Sequence, residues 1–243
     1  VVAGLGPEVV AAANVRRGER VLDIATGTGN AALAAAAGGA DVTAIDLCPE
    51  LLEQGRELAV ARGLAITFIE ANAEALPFEN DQFDVVLSCI GVMFAPHHQK
   101  AADELVRVCR PGGRIAVLNW TPDGFIGRLF ATMKPYMPAP PPGAQPPPLW
   151  GDEDHVRELL GNRVTDVQVR LGNLTVDRFA DGAAFRDYFK THYGPTITAY
   201  RGIGDDSARA AALDADLAAL GDDALAGSKT MDWQYLIVMA RRG

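Results

Sequence analysis

The apolar positions of the chain fall into short runs separated by polar, glycine-rich turns. Val21 to Ala25, Asp41 to Asp46, Ile66 to Glu70, Phe83 to Ser88 and Arg114 to Trp120 have strand length and are mostly apolar. Short apolar runs bounded by turn signals suit strands buried on both faces of a parallel sheet. Helical segments stand between them. Ala31 to Ala37 is an alanine run with the highest helix propensity. Glu50 to Arg62 is opened by Pro49, well placed for a first helical turn. Gln99 to Cys109 reads as a third helix, and Val9 to Ala13 as the end of an earlier one. Arg110-Pro111-Gly112-Gly113 forces a turn before the fifth strand. Strands alternating with helices predict an α/β fold whose parallel sheet is covered on both faces.

After Trp120 the rhythm changes. Phe125 to Tyr136 reads as helix, and the proline-dense stretch Pro138 to Pro148 as extended polyproline II. That stretch suits a stiff surface spacer, with a wall over a substrate pocket as the sharper reading. Asp152 to Leu160 resumes as helix, and Val164 to Val176 alternates as a sixth strand. Asp181 to Tyr193 and Asp205 to Leu220 read as helices, and Trp233 to Ala240 as a final strand. We expect a single domain over 1–243. Its core spans about 9–120, with insertions after strands five and six at about 121–150 and 177–231.

Charge narrows the partners. Lys and Arg number 22 against 31 Asp and Glu, a net charge of −9. Nucleic-acid binding leans on basic residues that neutralise phosphates, and no basic run is present beyond Arg241-Arg242. A small-molecule partner is therefore expected, with no nucleic acid. Cys48, Cys89 and Cys109 are well separated and form no CxxC pair, which fits a reducing, cytoplasmic setting without zinc or redox chemistry. No apolar run has the length of a membrane span, and oligomeric state is left open. The first residue is Val1 rather than Met, so a preceding segment is expected.

Candidate chemistry gathers at the end of the first strand, in Asp23-Ile24-Ala25-Thr26-Gly27-Thr28-Gly29-Asn30. Glycines let backbone approach a ligand where a side chain would clash. The turn feeds a helix N-terminus, whose free N–H groups favour acceptors. Ligands of open α/β sheets bind at the carboxyl ends of strands, where strand order switches. Asp46 ends the second strand, nineteen residues after Gly27, and can accept hydrogen bonds from both hydroxyls of a ribose. This much fits a dinucleotide or S-adenosylmethionine equally well. Each residue also has an ordinary role open to it: Asp23 could fix a turn, Asp46 could cap a helix, and Asn72 could be a turn residue.

Later segments separate the two cofactors. Asn72-Ala73-Glu74-Ala75-Leu76-Pro77-Phe78 follows the third strand, and Phe83-Asp84-Val85-Val86 opens the fourth. Leu105-Val106-Arg107-Val108-Cys109-Arg110-Pro111-Gly112-Gly113 leads into the fifth. In this order the chain resembles the class I S-adenosylmethionine-dependent methyltransferases, and among them the group that includes the ubiquinone and menaquinone methyltransferases. The resemblance covers roughly Val21 to Trp120. It implies a Rossmann-like, seven-stranded, mostly parallel sheet with helices on both faces, and S-adenosyl-L-methionine as cofactor. It also implies that the backbone of Ala25, Gly27 and Gly29 passes under the methionine part. Asp46 would bind the ribose, Leu47 would pack on the adenine, and Asn72 and Ala73 would meet its edge. Cys89 would offer backbone to the methionine amino group, and Asp23 would orient the turn or reach the cofactor through water. Ala25 stands where a glycine is common in the family, and Asn72 where Asp is more usual. Relatives often close the cofactor site with N-terminal helices, which a segment before Val1 could supply.

The activity expected is methyl transfer to oxygen or carbon of a small, partly hydrophobic metabolite. The alternatives are a nicotinamide-dependent oxidoreductase and a non-catalytic cofactor-binding protein. Holding the acceptor in line accounts for much of such a reaction, and a hydroxyl or acidic carbon also needs a base. Of four histidines, His155 lies on an acidic helix expected to be exposed, and His97 and His98 open the helix after strand four as capping or solvated residues. His192, in the inserted aromatic stretch Tyr188 to Pro195, is the candidate base or acceptor-orienting residue, with Tyr193 and Phe94 as candidate walls. No His, Cys and carboxylate cluster has metal spacing, so no metal is expected.

Overall fold

A computed structural model describes residues 1–243. Seven strands form one sheet: β1 (Arg20–Ile24), β2 (Asp41–Asp46), β3 (Ile66–Glu70), β4 (Phe83–Cys89), β5 (Cys109–Trp120), β6 (Val164–Val176) and β7 (Met231–Arg242). Their spatial order is β3-β2-β1-β4-β5-β7-β6. The helices are α1 (Leu5–Ala12), α2 (Asn30–Ala37), α3 (Pro49–Ala61), α4 (His98–Val108), α5 (Phe125–Met133), α6 (Glu153–Leu160), α7 (Gly182–His192), α8 (Gly194–Ile203) and α9 (Ser207–Leu225). None is long and apolar enough to cross a membrane.

The sheet is mixed, which corrects the expectation of a mostly parallel one. β1 pairs in parallel with β2 and β4, β2 with β3, and β4 with β5. β7 instead runs antiparallel to β5, from Arg114 opposite Arg241 to Trp120 opposite Tyr235. β6 ends and β7 begins within one compact unit of the chain.

That division gives two units. The sheet unit holds Val2–Trp120, Gly143–Gly172 and Tyr235–Gly243, and the helical unit holds Val1, Thr121–Pro142 and Asn173–Gln234. In the sheet unit β1 is central, with Val21, Leu22 and Ile24 fully buried, as are Val85, Val86 and Leu87 of β4. Strand order runs one way from β1 to β3 and the other way from β4 to β5. Right-handed crossovers therefore put α2 and α3 on one face and α4 on the other. The turn expected at Arg110 to Gly113 is a bulge inside β5: pairing with β4 jumps from Phe83–Cys109 to Val85–Arg114. Asp84 ties down this amino edge. Its carboxylate accepts from Arg110 Nε at 2.6 Å and from the Arg20 N–H at 2.8 Å. Burial alone would raise the Asp84 carboxyl, but those hydrogen bonds outweigh it and hold it down to about 2.

The helical unit packs around aromatic rings. Phe185 and Phe189 of α7 lie 4.3 Å apart, and Phe125 stacks on Trp233 at 5.8 Å. A Cβ on Gly182 would fall 1.9 Å from the Ala218 carbonyl, so only glycine lets α7 start this close to α9. α8 stands where no helix was expected. Pro195 occupies the first turn, where its missing N–H costs nothing, and Gly202 falls near the end. Pro138 to Pro146 forms no regular element, and Pro147–Gly151 closes into a 3-10 turn that buries Trp150.

Candidate cofactor site

The site builds outward from the end of β1. Ala25, Gly27 and Gly29 all adopt positive φ, of 53°, 58° and 91°. Such angles are easy for glycine and strained for alanine, so Ala25 holds a conformation suited to the glycine common there in the family. The Thr26 N–H donates to the Ile45 carbonyl at 2.8 Å, and the Gly29 N–H to the Thr26 carbonyl at 2.9 Å. α2 then begins at Asn30. A Cβ added to Gly27 would meet nothing within 4 Å, so open space lies over the turn. At Gly29 it would touch Leu33 and Phe68 at 3.5 and 3.6 Å, so that glycine serves packing as well as turning.

Two carboxylates frame the turn. Asp46 Oδ2 accepts from the Gly27 N–H at 2.8 Å, and its Oδ1 from the Cys48 N–H at 2.9 Å. Each oxygen keeps a further lone pair for another donor. Leu47 beside it is 63% exposed, an apolar side chain left bare at the carboxyl end of β2. Asp23 is buried. Its Oδ2 accepts from Thr26 Oγ1 at 2.5 Å and from the Ala32 N–H of α2 at 2.9 Å. Its Oδ1 is buried with no hydrogen-bond partner. Burial pushes the Asp23 carboxyl up to about 7. The bonds from Thr26 and Ala32 restrain the rise, and the charge of Asp46 adds to it.

The end of β4 closes the other side. Ser88 Oγ donates to the Ile24 carbonyl at 2.8 Å and accepts from the Val92 N–H at 2.9 Å, linking β1 to the loop after β4. A Cβ on Gly91 would lie 1.9 Å from the Ala25 carbonyl oxygen, so the two loops touch backbone to backbone. Ile90 between them has φ 64°, a conformation that costs a β-branched residue on the order of 1–2 kcal/mol. The Cys89 thiol is pushed up, first by burial and then by the Asp23 charge, so it stays protonated. After β3, Asn72 is exposed with its Oδ1 accepting from the Glu74 N–H at 2.9 Å, and Ala73 is buried.

The sheet thus gathers Asp23, Ala25, Gly27, Gly29, Asp46, Leu47, Asn72, Ala73 and Cys89 at the carboxyl ends of β1 to β4. His192 stands elsewhere, in the last turn of α7 in the helical unit. It is exposed and stacks on Tyr188 at 4.5 Å, with Nδ1 3.0 Å from the Tyr188 carbonyl. A carbonyl only accepts, so Nδ1 carries a proton, and in the neutral ring Nε2 is the acceptor. His155 departs from expectation. It is half-buried, and its Nε2 lies 2.9 Å from Nδ1 of fully buried His98. Burial, and then the neighbouring His155, lower His98 to about 4 against a weaker opposing pull from Glu74, so His98 is neutral. Ser88 and Gly91 had not been singled out. Their roles come from contacts between strands that no local pattern carries.

Residues 22–117 match a family described as a methyltransferase domain. The uncharacterized protein Rv1403c of Mycobacterium tuberculosis is 52% identical over 242 residues, spanning 100% of this chain and 88% of that protein. Demethylmenaquinone methyltransferase of Thermus thermophilus is 45% identical over 106 residues, 43% of this chain and 48% of that enzyme. Phosphoethanolamine N-methyltransferase 2 of Haemonchus contortus, solved in complex with S-adenosyl-L-methionine, matches the fold with a TM-score of 0.61 at 17% identity, over 98% of this chain and 52% of that one. Over residues 22–117 the chain carries the methyltransferase domain of the class I S-adenosylmethionine-dependent family, and its fold is the α/β fold of that family, with a seven-stranded mixed sheet.

Proposed function

We propose that this methyltransferase binds S-adenosyl-L-methionine over the glycine turn and methylates oxygen or carbon of a small, partly hydrophobic metabolite. The observation that carries the cofactor reading is the Asp46 carboxylate, bonded to the Gly27 N–H beside the open space over Gly27. The residues fit the group. Asp46 has lone pairs for two ribose hydroxyls, and exposed Leu47 offers an apolar face to the adenine. Asn72 and Ala73 meet the base edge, and the backbone of Cys89 meets the methionine ammonium. Asp23 orients the turn by tying Thr26 to the start of α2.

When bound, the cofactor supplies an electrophilic methyl on a sulfonium. The chain's own work is to hold the acceptor in line and to exclude water. His192 is proposed as base or acceptor-orienting residue on the strength of the lone pair left on Nε2. The net charge of −9 supports a small-molecule acceptor over a nucleic acid, and the three separated cysteines support a cytoplasmic setting. We take 1–243 as one methyltransferase, with its cofactor core at about 9–120 and its acceptor-side insertions at about 121–150 and 177–231.

Calorimetry with S-adenosylhomocysteine and NADH tests the cofactor. Micromolar binding of S-adenosylhomocysteine is expected, and binding of NADH alone would overturn the reading. His192→Ala is expected to slow turnover of any acceptor found. Intact turnover would remove it as the base.

A further inference from the structure

The loop after β3 has little structure of its own. Between β3 and β4 only the Asn72–Ala75 bridge is regular. Most of its other anchors come from α4 and the residue that caps it. Glu104 Oε2 accepts from the Leu76 N–H at 2.6 Å. Arg107 donates through Nη2 to the Leu76 carbonyl at 3.1 Å, and through Nη1 to the Phe78 carbonyl at 2.7 Å and to Asn80 Oδ1 at 3.0 Å. Glu104 and Arg107 are themselves paired, at 2.6 and 2.7 Å. At the other end His97, the residue before α4, donates its N–H to Glu74 Oε1 at 2.7 Å, and its Nδ1 lies 2.9 Å from Glu74 Oε2. Glu104 and Arg107 are three apart, which places both on one face of α4, while His97 stands at its N-cap. The Glu74 and Glu104 side chains are only 10% and 15% exposed, so water competes little for these bonds.

We propose that His97, Glu104 and Arg107 are positioning residues that set the enzyme's selectivity for an adenine base, by fixing where Asn72 and Ala73 stand. The proposal rests on the reading that the adenine edge meets those two residues. Adenine presents an acceptor at N1 and a donor at its amino group, and hypoxanthine presents the reverse. A loop that reads this pattern rejects the wrong base only while its own donors and acceptors stay in register. Here the register is set by a helix, because the strand before the loop stops at Glu70.

Calorimetric affinities for S-adenosylhomocysteine and S-inosylhomocysteine test this in the wild type, Asn72→Leu, Arg107→Lys and Glu104→Gln. Arg107→Lys keeps the charge but not the fork that spans two carbonyls. The wild type should prefer the adenine ligand, and Asn72→Leu should erode that preference. Both α4 variants should lower the ratio of affinities by roughly three- to tenfold, the equivalent of about one hydrogen bond. A loss of folded protein lowers the number of sites without moving the ratio, so partial misfolding does not mimic the effect. Amide exchange at Leu76 gives a second reading and should quicken in both α4 variants. A ratio unchanged in both, while Asn72→Leu lowers it, overturns the positioning role and leaves the adenine placement standing. A ratio that Asn72→Leu leaves unmoved, or no preference in the wild type, overturns both.

Discussion

Asp46 already holds two backbone N–H groups, so its carboxylate is fixed in place ahead of any ribose. Asp46→Ala should weaken S-adenosylmethionine binding by roughly 1.5–3 kcal/mol through lost charge-assisted hydrogen bonds. Unchanged affinity in a titration would remove it from the site. Asp23 makes a different prediction. Its carboxyl is raised from an ordinary 3.8 to about 7, so the folded state holds a proton that the unfolded state has released between those values. Its contribution to stability is complete below about 3.8 and lost as pH rises through about 7. Asp23→Asn cannot ionise, so its unfolding free energy should fall less than that of the wild type between pH 4 and 7. Parallel curves in denaturant titrations would refute this. Both residues were legible in the sequence as acids beside a glycine turn. The burial that pushes the Asp23 carboxyl up to about 7 was not, because burial is a property of the fold.

At the level of elements, the loops after β1 and β4 meet with no room between them. Gly91→Ala places a Cβ 1.9 Å from the Ala25 carbonyl, so one loop must move. The expected cost is on the order of 1–3 kcal/mol in stability, with weaker S-adenosylhomocysteine binding. Gly4→Ala is a control. Its Cβ meets nothing within 4 Å at an ordinary φ of −71°, and the change should stay within about 0.5 kcal/mol. Equal melting of the two variants would show that the close approach is unimportant. Strand positions were the most legible part of the chain. β2, β3 and β6 have the boundaries their patterns predicted, β2 and β3 from short apolar runs and β6 from an alternation that suits an edge strand left largely exposed. α8 was illegible for the opposite reason. Its proline and glycines are tolerated at helix ends, and its buried face, with Thr196 against Met133, is defined by α5 rather than by its own pattern.

For the whole molecule, likeness to Rv1403c runs the length of the chain, whereas likeness to the menaquinone enzyme covers 43% of it. The cofactor end was readable because its motifs stand in a fixed order along one stretch. The acceptor end was not, since the aromatic residues of the helical unit serve packing first: Phe125, Phe185 and Trp233 are all buried. A thermal test spans both ends. S-adenosylhomocysteine at about 100 times its Kd should add about 2.7 kcal/mol to the folded state. For a chain of this size that raises the melting midpoint by roughly 5–10 °C, and no shift would count against a site over the glycine turn.

The sheet order also dictates a sequence of events during synthesis. β7 follows β6 along the chain, yet it lies between β5 and β6. Until the ribosome has released Met231 to Arg242, β5 shows an unsatisfied edge and β6 has no neighbour to pair with. The cofactor half, β1 to β4, can assemble well before that point. The nascent protein therefore carries the proposed ligand cradle nearly complete beside an open edge, a state prone to mispairing with other chains. Ligand present during translation would stabilise the half already formed but could not close that edge. Recovery of native enzyme should then depend on how quickly β7 inserts.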